Sequence, residues 1–177
     1  MILLKKSCLG IDVGLDTIRV VELLKKRKRY HLRFHGTSFS RHNKHALDCL
    51  LTQCHAKRAV MCLPASQTVR ASLTLNETLS PLEMEYHIEQ TLENIFSNIT
   101  RYDYYDYHVD VKTKNQISIQ LCAIPQANAE QYIKVIKAQH IQLCGLLIDE
   151  EVPSRITPGI PYTLSRAYAL SHWGLSA

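Results

Sequence analysis

Leu9-Gly10-Ile11-Asp12-Val13-Gly14-Leu15-Asp16-Thr17-Ile18-Arg19-Val20-Val21-Glu22-Leu23 is the stretch on which the fold turns. Ser7–Val13 is a short apolar run ending at Gly14 and reads as a buried strand. Asp16–Leu24 alternates around Ile18 and Val20, then shifts to Val21 and Leu23, and reads as a second strand with an irregularity at Val20-Val21. The first strand delivers Asp12 to a turn in which Gly14 permits backbone conformations closed to a side chain. Asp16 and Thr17 add amides and a hydroxyl. Such a turn can surround a phosphate with N–H donors while the carboxylate holds hydrated Mg²⁺. Asp and Gly are also ordinary turn residues, so a plain hairpin reading stands beside the phosphate-loop one.

Working outward, Tyr30–Phe39 alternates as a third strand and completes a meander. A helix is expected from about His42 to Cys54, with Ala46, Cys49, Leu50 and Gln53 inward. Arg58–Leu63 follows as a buried strand closed by Pro64. The pattern then changes. Gln67–Leu75 alternates as a strand, and Ser80-Pro81-Leu82-Glu83 opens a helix with a capping box, Ser80 as cap and Glu83 reaching back to it. Ile88, Leu92, Ile95, Phe96 and Ile99 recur on one face of that helix. Tyr104–Val111 and Gln116–Ile124 are strands joined by the polar turn Lys112-Thr113-Lys114-Asn115. After Pro125 a helical pattern returns through Ala129, Tyr132, Ile133 and Ile136, and Ile141–Asp149 reads as another buried strand. Residues 151–161 pack three prolines and a glycine into a connecting loop, and Tyr162–Trp173 reads as an amphipathic helix closed near Gly174.

The order is thus βββαβ, an insert of βαββ, then αβ, a mixed α/β architecture. At 177 residues with 46% hydrophobic side chains, the chain can bury a core without staples. No apolar run approaches the roughly 20 residues that span a bilayer. The start, Met1-Ile2-Leu3-Leu4-Lys5-Lys6, has the wrong order for a signal peptide, so a cytoplasmic location is expected. The six cysteines include no CxxC pair, and Cys62, Cys122 and Cys144 sit in apolar runs, which argues for free thiols. Net charge is +5, with residues 1–60 at +9 and 61–177 at −4. Much of the excess lies in Lys25-Lys26-Arg27-Lys28-Arg29, read either as a solvated hairpin tip or as a membrane-proximal patch attracted to anionic lipid. No aromatic interleaving or nucleic-acid motif accompanies it, so nucleic acid is not an expected partner.

The first hairpin resembles the first phosphate loop of the actin-like ATPase superfamily, and within it the PilM family of type IV pilus assembly proteins, relatives of the cell-division protein FtsA. Val60-Met61-Cys62-Leu63-Pro64-Ala65-Ser66-Gln67-Thr68-Val69 resembles the family's strand, Pro, small, Ser, strand segment. Leu79–Glu83 resembles its capped helix start, and Tyr105-Asp106-Tyr107-His108-Val109 its Asp-Tyr-x-Val strand. Ile117–Pro125, Tyr132 and Leu143–Asp149 resemble its strand, helix, strand ending in Asp-x-Glu, so the series runs from about residue 7 to 151. The implied fold is half of an actin-like (ribonuclease H-like) α/β fold. Residues 1–65 and 125–177 would form subdomain 1A, a mixed sheet with flanking helices. Residues 66–124 would form an inserted β-α-β-β subdomain like 1C.

PilM chains continue through a second large domain with a second phosphate loop. Here the sequence passes from Glu151 almost directly to Ala167–Ala177, which resembles the family's closing helix. Nucleotide in this superfamily lies between two domains. The expectation is therefore that Asp12, Gly14, Asp16 and Thr17 are vestigial nucleotide-binding positions, that ATP and Mg²⁺ are not held, and that ATPase activity is absent. The alternative is an ATPase completed by dimerisation or by a second chain.

The resemblance also implies docking of the N-terminal peptide of a PilN-like inner-membrane protein in a groove of subdomains 1A and 1C. Pro64, Ser66, Val69, Arg70, Ile88 and Leu92 are the candidate wall residues. The implied role is a cytoplasmic interaction component, peripheral to the inner membrane, of a pilus or DNA-uptake machine, with a homodimer open. A decayed remnant without a partner is a third reading.

Two clusters carry weaker signals. His42, His45, Cys49, Cys54 and His55 crowd one stretch, with His45 and Cys49 four apart, but the spacing fits no standard zinc site and no metal is expected. Tyr102, Tyr104, Tyr105 and Tyr107 with Asp103 and Asp106 read as a strand start with phenols at its edge, the competing reading being an aromatic binding surface. No nucleophile elbow, Ser/His/Asp order or paired-carboxylate cleft is present.

Overall fold

The computed structural model describes residues 6–39, 43–76, 79–95, 104–113, 115–148 and 161–176. His42, Phe96, Ile99, Tyr102, Asp103, Lys114, Asp149 and the 151–160 loop lie outside the described residues. The chain divides into two compact units, Met1–Ala65 with Glu130–Ala177, and Ser66–Ala129.

The first unit is built on a five-stranded sheet of order β3-β2-β1-β4-β8. β1 (Lys6–Val13), β2 (Thr17–Lys26) and β3 (Arg29–Phe39) form the antiparallel meander; β4 (Arg58–Leu63) joins β1 in parallel, and β8 (Gln142–Ile148) joins β4 in parallel. The irregularity in β2 does not fall at Val20-Val21. It lies at Glu22/Leu23, where Glu22 opposes Phe34 and Leu23 opposes Leu32, leaving Arg33 unmatched. Val20 through Leu23 defeat simple alternation because all four are fully buried. Both faces of β2 are covered. Gly36, paired with Val20, lies under Leu50 of α1 (Asn43–Leu51), whereas Val21 and Leu23 face α4 (Ser165–Ser176). Glu22, on the α1 side, has its own partners: Arg33 Nη1 donates to Oε1 at 3.4 Å and the His55 amide to Oε2 at 3.0 Å.

α1 buries Ala46, Leu47, Leu50 and Leu51, so the expectation for Cys49 and Gln53 is corrected: both are exposed. Leu47 and Leu51, four apart, rotate the buried stripe away from Cys49. α3 (Gln126–Ala138) buries Ala129, Tyr132, Ile133, Val135 and Ile136, which includes every position read from its spacing.

α4 presses closely on the opposite face. A Cβ on Gly10 would collide with the Ala167 carbonyl oxygen, and one on Gly174 would stand 2.5 Å from Cys8 Sγ and 2.7 Å from Val60 Cγ2. Gly174 therefore lies inside the helix as a contact residue and does not end it. Ser171, fully buried, bridges a strand pair: its hydroxyl donates to Cys8 O at 2.7 Å and accepts the Leu23 amide at 3.2 Å. Cys8, Val21, Leu23, Val60 and Cys62 close with Ala167, Leu170 and Leu175 into one apolar cluster.

The second unit is a three-stranded antiparallel sheet, order β5-β7-β6, with α2 (Pro81–Ile95) packed on it. β5 is Val69–Asn76, β6 Tyr104–Lys112 and β7 Gln116–Ile124; Ala65–Gln67 forms a 3₁₀ turn before β5, which begins two residues later than its alternation suggested. The capping box forms, with Glu83 Oε2 accepting the Ser80 amide at 2.8 Å and the Ser80 hydroxyl at 2.7 Å. These hydrogen bonds from Ser80 hold the Glu83 carboxyl below its ordinary value. Ile88 and Leu92 pack with Leu75, Ile119, Leu121 and Ala123.

Candidate functional site

The hairpin turn is tight. The Gly14 amide donates to Thr17 O at 2.7 Å, and a Cβ on Gly14 would stand 2.8 Å from Thr17 Oγ1. Asp16 is exposed and Thr17 half-buried. Asp12 is 2% exposed and sits directly opposite Arg19 across the β1–β2 ladder. Arg19 Nη1 donates to Asp12 Oδ2 at 3.2 Å, and Arg166 Nη1, from the first turn of α4, to Oδ1 at 3.4 Å.

Both carboxylate oxygens are thus occupied by guanidinium groups. Among the described residues two guanidinium groups flank one buried carboxylate. Arg19 belongs to the same hairpin, and its position follows from the register across a tight turn. Arg166 is 154 positions away, and no local pattern announces it.

The basic run forms the tip of the β2–β3 hairpin, with Arg27 at φ 57° in the turn. Lys26, Arg27, Lys28 and Arg29 are exposed. Lys25 differs from them: its Nζ lies over the Tyr30 ring at 5.5 Å and donates to the Leu175 carbonyl at 3.3 Å, where the end of α4 attracts a cation. Tyr30 has its phenol pulled down by a hydrogen bond to Ser176 and by Lys25.

The candidate wall residues separate. Ser66 and Arg70 are exposed, Ser66 in the 3₁₀ turn and Arg70 on the outward side of β5. Val69 is half-buried against the cluster of the second unit, and Pro64 is buried. Ile88 and Leu92 are fully buried, so they are corrected from wall residues to core. The apolar helix face that carries them is the face the sheet consumes. Among the described residues β5 pairs with β7 alone and no strand lies on its far edge; Arg70, Ser72, Thr74 and Asn76 are exposed.

Among the described residues no group of three His, Cys, Asp or Glu side chains is placed to hold a metal ion. His45 Nε2 and Cys49 Sγ are 3.8 Å apart on the exposed side of α1. Burial raises the thiol of Cys8 to about 11 and that of Cys54 to about 12, with the charge of Cys144 adding at Cys8 and that of Glu22 at Cys54. No helix among the described residues is long and apolar enough to cross a membrane.

No protein-family model matches the chain, and no curated protein matches it. Solved structures do. A chain of the PilM–PilN type IV pilus biogenesis complex aligns over 81% of this chain and 47% of its own length, with a TM-score of 0.62 and 13% identity. The cytoplasmic domain of EpsL, an inner membrane component of the type II secretion system of Vibrio cholerae, aligns over 87% of this chain and 61% of its own, with a TM-score of 0.55 and 14% identity. A Bacteroides thetaiotaomicron protein with an actin-like ATPase fold and unknown function aligns at a TM-score of 0.44, with 11% identity, over 80% of this chain and 52% of its own. The chain spans about half of the first relative and 61% of the second. The mixed α/β architecture with flanking helices is the fold of this chain, shared with the aligned part of that PilM–PilN chain.

Proposed function

We propose that this chain is a non-catalytic interaction component of a type IV pilus, secretion or DNA-uptake assembly, and that it binds the extended N-terminal tail of a PilN-like inner-membrane protein. The observation that carries the reading is the likeness to the PilM–PilN complex over 81% of the chain. On this proposal the tail lies along the open edge of β5, taking backbone hydrogen bonds from the strand, with Ser66 and Arg70 at the entry. The partner's membrane span then holds the chain at the cytoplasmic face of the inner membrane.

The same proposal assigns the first hairpin a structural role. Asp12 joins Arg19 and Arg166 and anchors α4, in place of a metal–nucleotide role. Titration of the full chain with a fluorescent peptide from the N-terminus of the PilN-like protein of the same genome tests the partner. Saturable binding weakened by Arg70→Glu is expected, and no binding sinks this assignment. A parallel titration with labelled ATP and Mg²⁺ is expected to show none; saturable binding abolished by Asp12→Ala favours an ATPase completed by association.

A further inference from the structure

The two units carry opposite charge. Residues 66–129 hold 4 Lys+Arg and 8 Asp+Glu, a net −4, which leaves +9 on the rest of the chain. Each sign has an exposed feature that the peptide site does not use. The positive feature is the hairpin tip Lys26–Arg29. The negative one lies between α2 and β6.

Of the ten large apolar side chains exposed among the described residues, five lie on these two elements: Leu82 (77%), Tyr86 (60%), Tyr105, Tyr107 and Val109. Tyr105 pairs with Ala123, Tyr107 with Leu121 and Val109 with Ile119, so all three point to the face that α2 covers. The apolar cluster under α2 draws on β5, β7 and the helix, and among the described residues none of its members comes from β6. Among the described residues β6 is therefore a partly covered shelf beside the helix, with Tyr105 and Tyr107 each 37% and Val109 46% exposed. Glu85 and Glu89 border it, close enough that, after partial burial, their charges raise the Tyr105 phenol.

The β6 edge is also blunted. Asp106 Oδ1 accepts the Tyr107 amide at 2.8 Å, and the ladder shifts between Val109 and Val111. Both features disfavour addition of an extended strand and leave side chains as the recognition surface.

We infer that the Lys26–Arg29 hairpin tip of one copy docks on the Tyr105–Tyr107–Val109 shelf, beside Glu85 and Glu89, of a second copy. Guanidinium and ammonium groups find carboxylates at the rim and aromatic faces at the centre, a pairing suited to charge-assisted hydrogen bonds and cation–π contact. A hairpin tip presents side chains without needing a free strand edge. One contact accounts for two surface features that lack an occupant among the described residues. It is heterologous, using different patches on the two copies, so it propagates head to tail.

Sedimentation velocity of the full chain at about 0.05 M and about 0.5 M salt tests this, since screening shortens the reach of charge from above ~10 Å to a few ångströms. Concentration-dependent association at low salt that dissolves at high salt is expected. Lys26→Glu/Lys28→Glu and Glu85→Lys/Glu89→Lys, all at exposed positions, are each expected to weaken it by about tenfold or more, because the first takes the tip from +4 to 0 and the second sets lysines against it. Mixing the two variants is expected to restore a heterodimer, because the unaltered tip of the second meets the unaltered shelf of the first. A monomer under all conditions, or association indifferent to both double variants, overturns the inference. So does a wild type that remains monomeric at low salt yet co-sediments with phosphatidylglycerol vesicles through Lys26 and Lys28, which assigns the tip to a membrane.

Discussion

Replacing Asp12 by alanine separates a structural carboxylate from a catalytic relic. At an effective dielectric near 20, each unit pair at 3.2–3.4 Å represents about 5 kcal/mol of gross attraction. Desolvating a carboxylate that is 2% exposed takes back much of this, and the guanidinium side chains, 23% and 36% exposed, recover part of their hydration once released. A net loss of about 2–3 kcal/mol for Asp12→Ala follows, between the value for a surface pair and that for breaking a fully buried one. Trp173 is the single tryptophan and sits on α4, so its fluorescence in a urea titration reports release of that helix. The midpoint should fall, and a thermal midpoint should drop by about 4–12 °C for a chain of this size. Arg166→Ala should cost less, about 1 kcal/mol, because it leaves the Arg19 pair intact. In the double variant the two losses should not add, since both remove the same contact. An Asp12→Ala protein as stable as wild type, with two additive and negligible effects, would refute the reasoning and return the carboxylate to a ligand-binding role.

Gly174→Ala places a methyl against Cys8 and Val60 and should destabilise the first unit by about 1–3 kcal/mol, read by the same fluorescence titration. Ser80→Ala removes the cap of α2 and should lower the stability of the second unit by about 1 kcal/mol near neutral pH, followed by far-ultraviolet circular dichroism. Glu83 has a lowered folded value, so its contribution is present above the unfolded carboxyl range and fades as pH falls through the folded value; the difference between Ser80→Ala and wild type should therefore shrink in acid. In a maleimide time course at pH 8, exposed Cys49 should react first; Cys8 and Cys54, raised to about 11 and 12, should remain protected until the chain unfolds.

Periodicity and turn chemistry made much of this fold legible. β4 and β7 coincide with their readings, and the capping box at Ser80 formed with both partners in reach. Alternation failed in β2, because a strand covered on both faces has no polar side to mark its register. Helical spacing located Ile88 and Leu92 but not their destination: an apolar stripe looks the same whether it meets its own sheet or a partner, and here the sheet takes it. The Asp12 site was half legible. Arg19 follows from ladder register, whereas Arg166 and Ser171 reach the hairpin only through packing of α4, which no local spacing encodes.

That packing governs the order in which the molecule can be completed. Ser66–Ala129 is continuous in the chain and can collapse as soon as it leaves the ribosome. The other unit cannot, because Gly10, Cys8 and Asp12 wait for partners about 160 positions later. During translation the meander must persist with one apolar face bare until α4 arrives, so nascent chains stalled before α4 should depend on chaperones in a way that full-length chains do not.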